Sequence, residues 1–528
     1  MIKVNKSNKR KNKAFEFFTI FSMVFGIVVG SGIYLKNAGE NGVLSQAGNN
    51  PYLALCVWIF IGVLCSLIML TFIEAASSKT KLGHSTAQSW ANTFINRKTA
   101  SMCSILYICM YLPILAGLGA LFTINTLFNG IDIFYHSTTG IFLVEKIGRV
   151  ELMIIKLILS TLLLVSFSLM NIYTHKPSRI IQSIFTIVKF IPLISVVIGG
   201  FTLFILNPSA NNSFNPEHST INSFGISPFF ATIVPILFAF DGFIYAATLQ
   251  KDCEHKEVVP PAMLSAIIAV TLFYTIITVA IFLGAEDGNV FNFFDNLFIK
   301  SPWAALIFKI IIACTLVTTV NGYTTLIPKT VQSAVEEGFI YTKSRSEKIS
   351  YIKAGYIGMA ITLSIYTLFL IISISIGFAS DPNGTHEINY FLVADYSSNS
   401  TVMFAFIVYL ILMIAVLHNR RTNKVEVNKI KGGFVIGIIT TTILIIVMGY
   451  IYYDFFINKF KDKEKMIDPI LLIFFSIIIE IVWIINECLL SKSNIDENDF
   501  YLRIQPRNWF KYNKEKEIEK YKTKINVK

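Results

Sequence analysis

Three short stretches of the 528-residue chain place groups able to bind or move charge inside long apolar runs. The first is Gly26-Ile27-Val28-Val29-Gly30-Ser31-Gly32-Ile33. Each glycine in a helix interior costs about 1 kcal/mol relative to alanine, so a cluster marks a place where continuous helix is expendable. The second is Phe238-Ala239-Phe240-Asp241-Gly242-Phe243, with Pro235 just upstream and a carboxylate at mid-membrane depth. The third is Lys189, set between Val188 and Phe190 and too deep in its run to reach the surface easily. An interrupted helix leaves N–H groups bare at one stump and C=O groups bare at the other. The first kind attracts an anion such as a carboxylate, worth about 0.3–2 kcal/mol, and the second an ammonium. Two such breaks together can hold both poles of a zwitterion. A lone G-x-G in a membrane helix is ordinarily a sign of close packing. Here the breaks lie 210 residues apart, each in the first span of a block of five, and Asp241 accompanies the second. That is the pattern of carriers whose discontinuous helices meet at the membrane midplane.

The elements that must position these groups are membrane helices. Hydrophobic residues make up 54% of the chain and charged residues 15%, too few charges to clothe the domains of a soluble protein this long. The mean hydropathy of +0.61 agrees. A hydrocarbon core of about 30 Å needs about 20 apolar residues per helix, and on that basis about twelve spans are expected. They run over 15–40, 52–77, 99–129, 150–172, 178–206, 226–249, 260–284, 303–333, 351–377, 401–418, 433–456 and 468–490. The runs are continuous rather than alternating, which favours helices over a barrel. The link around Gly83–Asn96 is amphipathic and expected at the interface. Of the 45 Lys and Arg, 33 fall on the side of the N-terminus, eight (Lys36 among them) on the other side and four within spans. That bias puts both termini in the cytoplasm, although KDKEK at 461–465 runs against it. The same distribution, at chain ends and alternate loops, argues against a nucleic-acid partner for the net charge of +12.

Other ionisable residues carry less. A lysine at the bilayer centre costs about 2.5–3.5 kcal/mol on insertion scales, so Lys189 serves a purpose. It is either a proton-loading group or a structural ammonium bonded to the carbonyls of span 1. Asp241 can bind substrate, bind an ion, or cap the amides of the second half-helix. Glu74 ends span 2, in a gate network with basic loop residues or in a structural ion pair. Lys156 and Lys309 lie near span ends and are expected to snorkel. Glu480, deep in the last span, has no evident partner. The seven cysteines form no CxxC pair and the loop histidines 84, 175 and 255 lack metal spacing, so neither a disulfide frame nor a metal is expected. No GxxxxGK[ST] loop occurs, which argues against ATP-driven pumping and for no cofactor. An embedded enzyme would need converging intramembrane acids or histidines, and these are scattered.

The stretches VVGSGIY (28–34), TFIEAAS around Glu74, IVKFIPLISVVIGG (187–200), FAFDGFIYAATLQKDCEHKEVVPPAM (238–263) and TTVNGYTTLIPKTVQSAVEEG (318–338) resemble the amino acid–polyamine–organocation (APC) superfamily permeases in order and spacing. The likeness spans about residues 14–420. It implies that the amides of Gly30, Ser31 and Gly32 hold the substrate carboxylate. The carbonyls of Val28 and of the segment Phe238, Ala239, Phe240 and Asp241 would hold its amine, with Phe238 as outer gate. It also places Lys189 on the fifth-span lysine that stands in for a sodium ion in proton-coupled relatives. Asp241 departs from relatives that carry Gly there, and Lys329 matches only loosely a position where many have Arg.

The resulting expectation is an all-α integral membrane protein of the LeuT-like fold, a five-plus-five inverted repeat with helices 1 and 6 discontinuous. Its parts are a basic N-terminus (1–13), a first repeat (14–206), an extracellular loop (207–225), a second repeat (226–418), two added helices (433–490) and a basic tail (491–528). It should move amino acids across the plasma membrane by alternating access as a proton symporter, not act as an enzyme. An amino acid or polyamine exchanger, with a counter-substrate or Na+ in place of the proton, is the alternative on the same fold. A non-transporting amino acid sensor is the alternative of a different class.

Overall fold

The computed structural model describes residues 13–30, 32–37, 42–78, 86–206, 212–215, 225–244, 255–342, 349–380, 388, 390–461 and 466–492. Every regular element among the described residues is a helix. Apart from the one-turn helices Val43–Gln46 and Leu143–Ile147 and short turns of 3-10 helix, these are in chain order α1 (Lys13–Val28), α2 (Gly32–Lys36), α3 (Pro51–Ala76), α4 (Ala87–Phe94), α5 (Arg97–Thr139), α6 (Arg149–Tyr173), α7 (His175–Val188) and α8 (Phe190–Leu206). They continue with α9 (Ile226–Phe240), α10 (Val259–Gly284), α11 (Val290–Leu297), α12 (Pro302–Glu336), α13 (Tyr351–Ser380), α14 (Phe391–Thr422), α15 (Gly433–Tyr453) and α16 (Ile467–Lys492). Ten helical segments among the described residues are long and apolar enough to cross a membrane. α1 and α9, at 16 and 15 residues, are shorter.

Some helices begin where a side chain satisfies their first amides. Asn50 caps α3, its Oδ1 accepting from the Leu53 N–H at 3.0 Å, with Pro51 at the first position. Asn96 caps α5 in the same way through the Thr99 N–H at 2.8 Å. Packing then shows which solvent surrounds the bundle. On α6 the outward face is Ile154, Ile158 and Leu162, whereas Lys156, Ser160, Ser168 and Asn171 point inward. Apolar outside and polar inside is the arrangement a lipid environment selects. Glycines let helices approach closely: a Cβ on Gly200 of α8 would lie 2.2 Å from the Ala280 carbonyl oxygen of α10. α10 packs along α1, α3 and α8, and α9 lies on α2 and α3, so the α1–α2 and α9 junctions share one centre.

Several sequence expectations are corrected here. The third span reaches Thr139 rather than 129. The fifth is two helices, α7 and α8, meeting at Lys189. The link expected at the interface contains α4, which is largely buried: Gln88 bonds Ser333 at 3.2 Å and Ser89 bonds Glu337 at 2.7 Å, so its polar face meets protein. Lys156 and Lys309 do not snorkel. Lys156 is buried and donates to Asn125 Oδ1 at 3.4 Å, and Lys309, 1% exposed, pairs with both oxygens of Asp295 at 2.7 and 2.8 Å. Lys36, counted with the loop charges, is also buried. At 459–465, Lys459 pairs with the buried Asp468, and 462–465 lie outside the described residues. Glu480 lies on the exposed face of α16 beside Ile477, Ile481 and Ile484.

Candidate functional site

α1 stops at Val28 and α2 starts at Gly32; Ser31 lies outside the described residues. The carbonyls at the end of α1 carry the negative end of its dipole, and they meet donors from other elements. Lys189 reaches across from the α7–α8 junction and donates its Nζ to the Gly26 oxygen at 2.7 Å and to the Val29 oxygen. Its own carbonyl accepts from the Tyr34 hydroxyl of α2 at 3.1 Å. One residue therefore holds both sides of this junction. The Val28 carbonyl accepts from the Tyr274 hydroxyl of α10 at 2.8 Å, and that hydroxyl oxygen in turn accepts from the Gly30 N–H at 3.3 Å.

α9 stops at Phe240. Asp241 leaves helical geometry (φ −58°, ψ 150°) and Gly242 takes φ +96°, a left-handed value that favours glycine. The two junctions touch: a Cβ on Gly32 would lie 2.5 Å from the Ala239 Cα, so any side chain there would force the backbones apart. Phe240 is buried between Trp58 (ring centroids 6.0 Å) and Tyr274 (5.5 Å). The Asp241 carboxylate is met by three donors. Tyr111 donates to Oδ2, while the Gly242 N–H at 2.9 Å and Tyr409 at 3.3 Å donate to Oδ1. Tyr111 comes from a π-helical turn (Tyr107–Tyr111) inside α5, and such turns recur at functional sites because the wider coil re-aims its side chains.

Charged clasps lie on either side of this centre. Lys36, at the end of α2, donates to Ser398 Oγ at 2.6 Å and Asn399 Oδ1 at 3.2 Å on α14, and its Nζ is 5.0 Å from the centre of the Phe238 ring. At the other end of α14, Arg420 Nε lies 3.0 Å from both oxygens of Glu74, and the guanidinium also bonds the Ile430 carbonyl at 2.9 Å. Both side chains are mostly buried, 3% exposed for Glu74 and 11% for Arg420. Removing one partner of such a pair costs about 3–5 kcal/mol, because the other charge stays buried. Glu74→Gln is therefore expected to lower the thermal unfolding midpoint in detergent. The double variant Glu74→Gln with Arg420→Gln should recover part of the loss, as read from a fluorescence melt.

Of the residues singled out in the sequence, Val28, Gly30, Gly32, Ala239, Asp241 and Lys189 lie around these two junctions, and Phe240 packs beneath them. Phe238 sits toward Lys36, and Glu74 is apart, in the clasp with Arg420. Sequence reading missed Tyr34, Tyr111, Tyr274 and Tyr409, and misjudged Lys36. The available signal was a tyrosine well inside an apolar run, where its hydroxyl needs a partner.

Across residues 15–485 the chain matches the amino acid permease family. It belongs to that family. Two relatives share 24% identity with this permease. One is an uncharacterized protein of Mycoplasma pneumoniae, aligned over 360 residues and 62% of each chain. The other is the serine/threonine exchanger SteT of Bacillus subtilis, aligned over 261 residues, 49% of this permease and 52% of SteT. The matched regions thus span less than two-thirds of either relative. Among solved structures, MhsT in complex with L-phenylalanine superposes with a TM-score of 0.55 at 14% identity, covering 82% of this permease and 97% of MhsT. The Eremococcus coleocola manganese transporter, in complex with an aromatic bis-isothiourea compound, superposes with a TM-score of 0.52 at 12% identity, covering 90% and 96%. At such identities the likeness shows the fold: this permease is an all-helical, multi-pass membrane protein with the architecture of LeuT-like transporters. Family and fold are those of membrane transporters rather than enzymes.

Proposed function

We propose that this permease is a secondary active transporter that carries amino acids across the plasma membrane by alternating access, driven by proton symport. The observation that carries the reading is the contact of the two junctions at Gly32 and Ala239, which brings stump carbonyls and stump amides into one centre. An amino acid presents a carboxylate and an ammonium a fixed short distance apart, and such a centre offers both a counterpart. In this reading the amides of Gly30, Ser31 and Gly32 take the carboxylate. The Val28 carbonyl and those of Phe238, Ala239, Phe240 and Asp241 take the amine, and Phe238 closes the outer side. Lys189 carries the coupling proton: its bonds to Gly26 and Val29 make its charge part of what holds α1 in place. The repeats are 14–206 and 226–418, with twelve spans in all and both termini cytoplasmic. Support for the orientation is the fourfold excess of Lys and Arg on the side of the N-terminus.

The test is uptake by purified permease in proteoliposomes, using a competition panel of the common amino acids with and without an imposed pH gradient. Accumulation that rises with an inward proton gradient supports symport. Absence of uptake of every amino acid under both conditions, into empty and into preloaded vesicles alike, rejects transport and leaves the sensor reading. The exchange reading is favoured by one observation, that SteT is named as an exchanger. It predicts uptake only when the vesicles are preloaded with amino acid, indifferent to the gradient.

Asp241 is the candidate for side-chain selectivity. Its oxygens are already engaged by Tyr111, Tyr409 and Gly242, so in this reading it shapes the pocket and adds a negative field. Asp241→Asn should leave competition by neutral amino acids within about twofold and weaken that by lysine or arginine about tenfold, about 1.4 kcal/mol. Equal losses for both classes would assign Asp241 a structural task only.

A further inference from the structure

The Tyr274 hydroxyl stands between the two junctions and touches both. The side chain is fully buried, its ring held edge-on by Trp58 at 5.3 Å and Phe240 at 5.5 Å, so the hydroxyl has a fixed address. It lies 2.8 Å from the Val28 carbonyl, 3.3 Å from the Gly30 amide and 3.3 Å from the Ala239 carbonyl. A phenol carries one hydrogen. It accepts from Gly30 N–H and, on distance, gives its hydrogen to Val28, so Ala239 receives none from it. An ammonium brings three hydrogens and serves both carbonyls at once, while a carboxylate takes the amide. The hydroxyl thus copies, incompletely, the two poles of an amino acid at the groups assigned to the substrate above.

We propose that Tyr274 is an internal stand-in for the substrate, bridging the two broken helices when the carrier is empty and giving way when an amino acid enters. The inference rests on the reading of this centre as the substrate site and adds how the empty carrier is held. Without the bridge, the buried Val28 carbonyl and the half-buried Gly30 amide lose this partner, which penalises the empty state and not the loaded one. The empty carrier must cross back to complete net uptake, whereas exchange needs only the loaded form. Tyr274 therefore governs the balance between net transport and exchange.

The experiment compares wild type with Tyr274→Phe, which keeps the ring and removes the oxygen. A radiolabelled mixture of the common amino acids is the probe, offered to vesicles that are empty or preloaded with the same unlabelled mixture. The expected result is exchange within about twofold of wild type, net uptake about tenfold lower and an apparent KM about tenfold lower. Tyr274→Met, which removes the oxygen with the ring, must shift the ratio of exchange to net uptake in the same direction. A thermal melt supplies a second readout. The empty variant should unfold below wild type, and saturating amino acid should close the gap. Equal loss of exchange and net uptake, an unchanged ratio and KM, or a melt deficit that amino acid does not close each overturn the proposal. A wild type that neither takes up nor binds the mixture defeats the transport reading itself, which is a distinct outcome.

Discussion

Replacing Lys189 with alanine should leave amino acid uptake blind to an imposed proton gradient. One pH unit corresponds to about 1.4 kcal/mol, or about tenfold in accumulation for one proton carried with each substrate. Wild type should show that factor and Lys189→Ala should show none. The obvious objection is that Lys189 also bonds the Gly26 and Val29 carbonyls, so its loss could simply loosen α1. Lys189→Arg separates the two tasks. A guanidinium still donates to both carbonyls but stays charged throughout the accessible pH range. If Lys189 moves the proton, the arginine variant stays folded, binds amino acid and is equally blind to the gradient. If Lys189 is only a strut, the arginine variant responds to the gradient as wild type does. Uptake measured at matched internal and external pH, beside uptake with a one-unit inward gradient, decides between them.

The second large effect is expected at Gly32. A methyl group there would meet the Ala239 backbone at 2.5 Å, closer than carbon atoms approach, and backbone cannot swing aside as a side chain can. The two junctions would have to separate, and the stump carbonyls and amides would no longer converge on one small solute. Overpacking of this kind costs about 1–3 kcal/mol, so Gly32→Ala should weaken amino acid binding at least about fivefold. Gly322→Ala is the control: a Cβ there meets nothing within 4 Å, and binding should be unchanged. Equal binding by both variants would mean that substrate does not sit where Gly32 meets Ala239. Titration of purified protein by calorimetry reads the difference without depending on the transport cycle.

Which features could be read from sequence follows from the solvent. Lipid offers no hydrogen bonds, so the backbone must be helical wherever it meets lipid, and long apolar runs translate directly into helices. Interruptions show for the same reason. Gly30 and Gly32 stand out in an otherwise apolar run, and α1 stops at Val28. Gly242 follows the only acid of its run and takes φ +96°. What the sequence hides is pairing between distant elements. Tyr274 looks like any aromatic residue of a membrane helix until α10 is laid against α1 and α9. Lys309 was expected to reach for water because its partner, Asp295, lies on the separate short helix α11. The α4 segment reads as a surface helix because its polar face is real. Only packing shows that Gln88 and Ser89 spend that face on Ser333 and Glu337 at the end of α12.

The partners of the intramembrane lysines also carry an order in time. A ribosome delivers the chain from the N-terminus, and a cation entering hydrocarbon alone is held back by its hydration. Asn125 precedes Lys156, Gly26 and Val29 precede Lys189, and Asp295 precedes Lys309. Each ammonium is thus synthesised after the oxygen that receives it, and none has to wait in the bilayer for a residue still to be translated. Lys36 reverses the order, since Ser398 and Asn399 are made more than 360 residues later. It stands at the end of its helix, where water can serve until the late strand of nascent chain arrives.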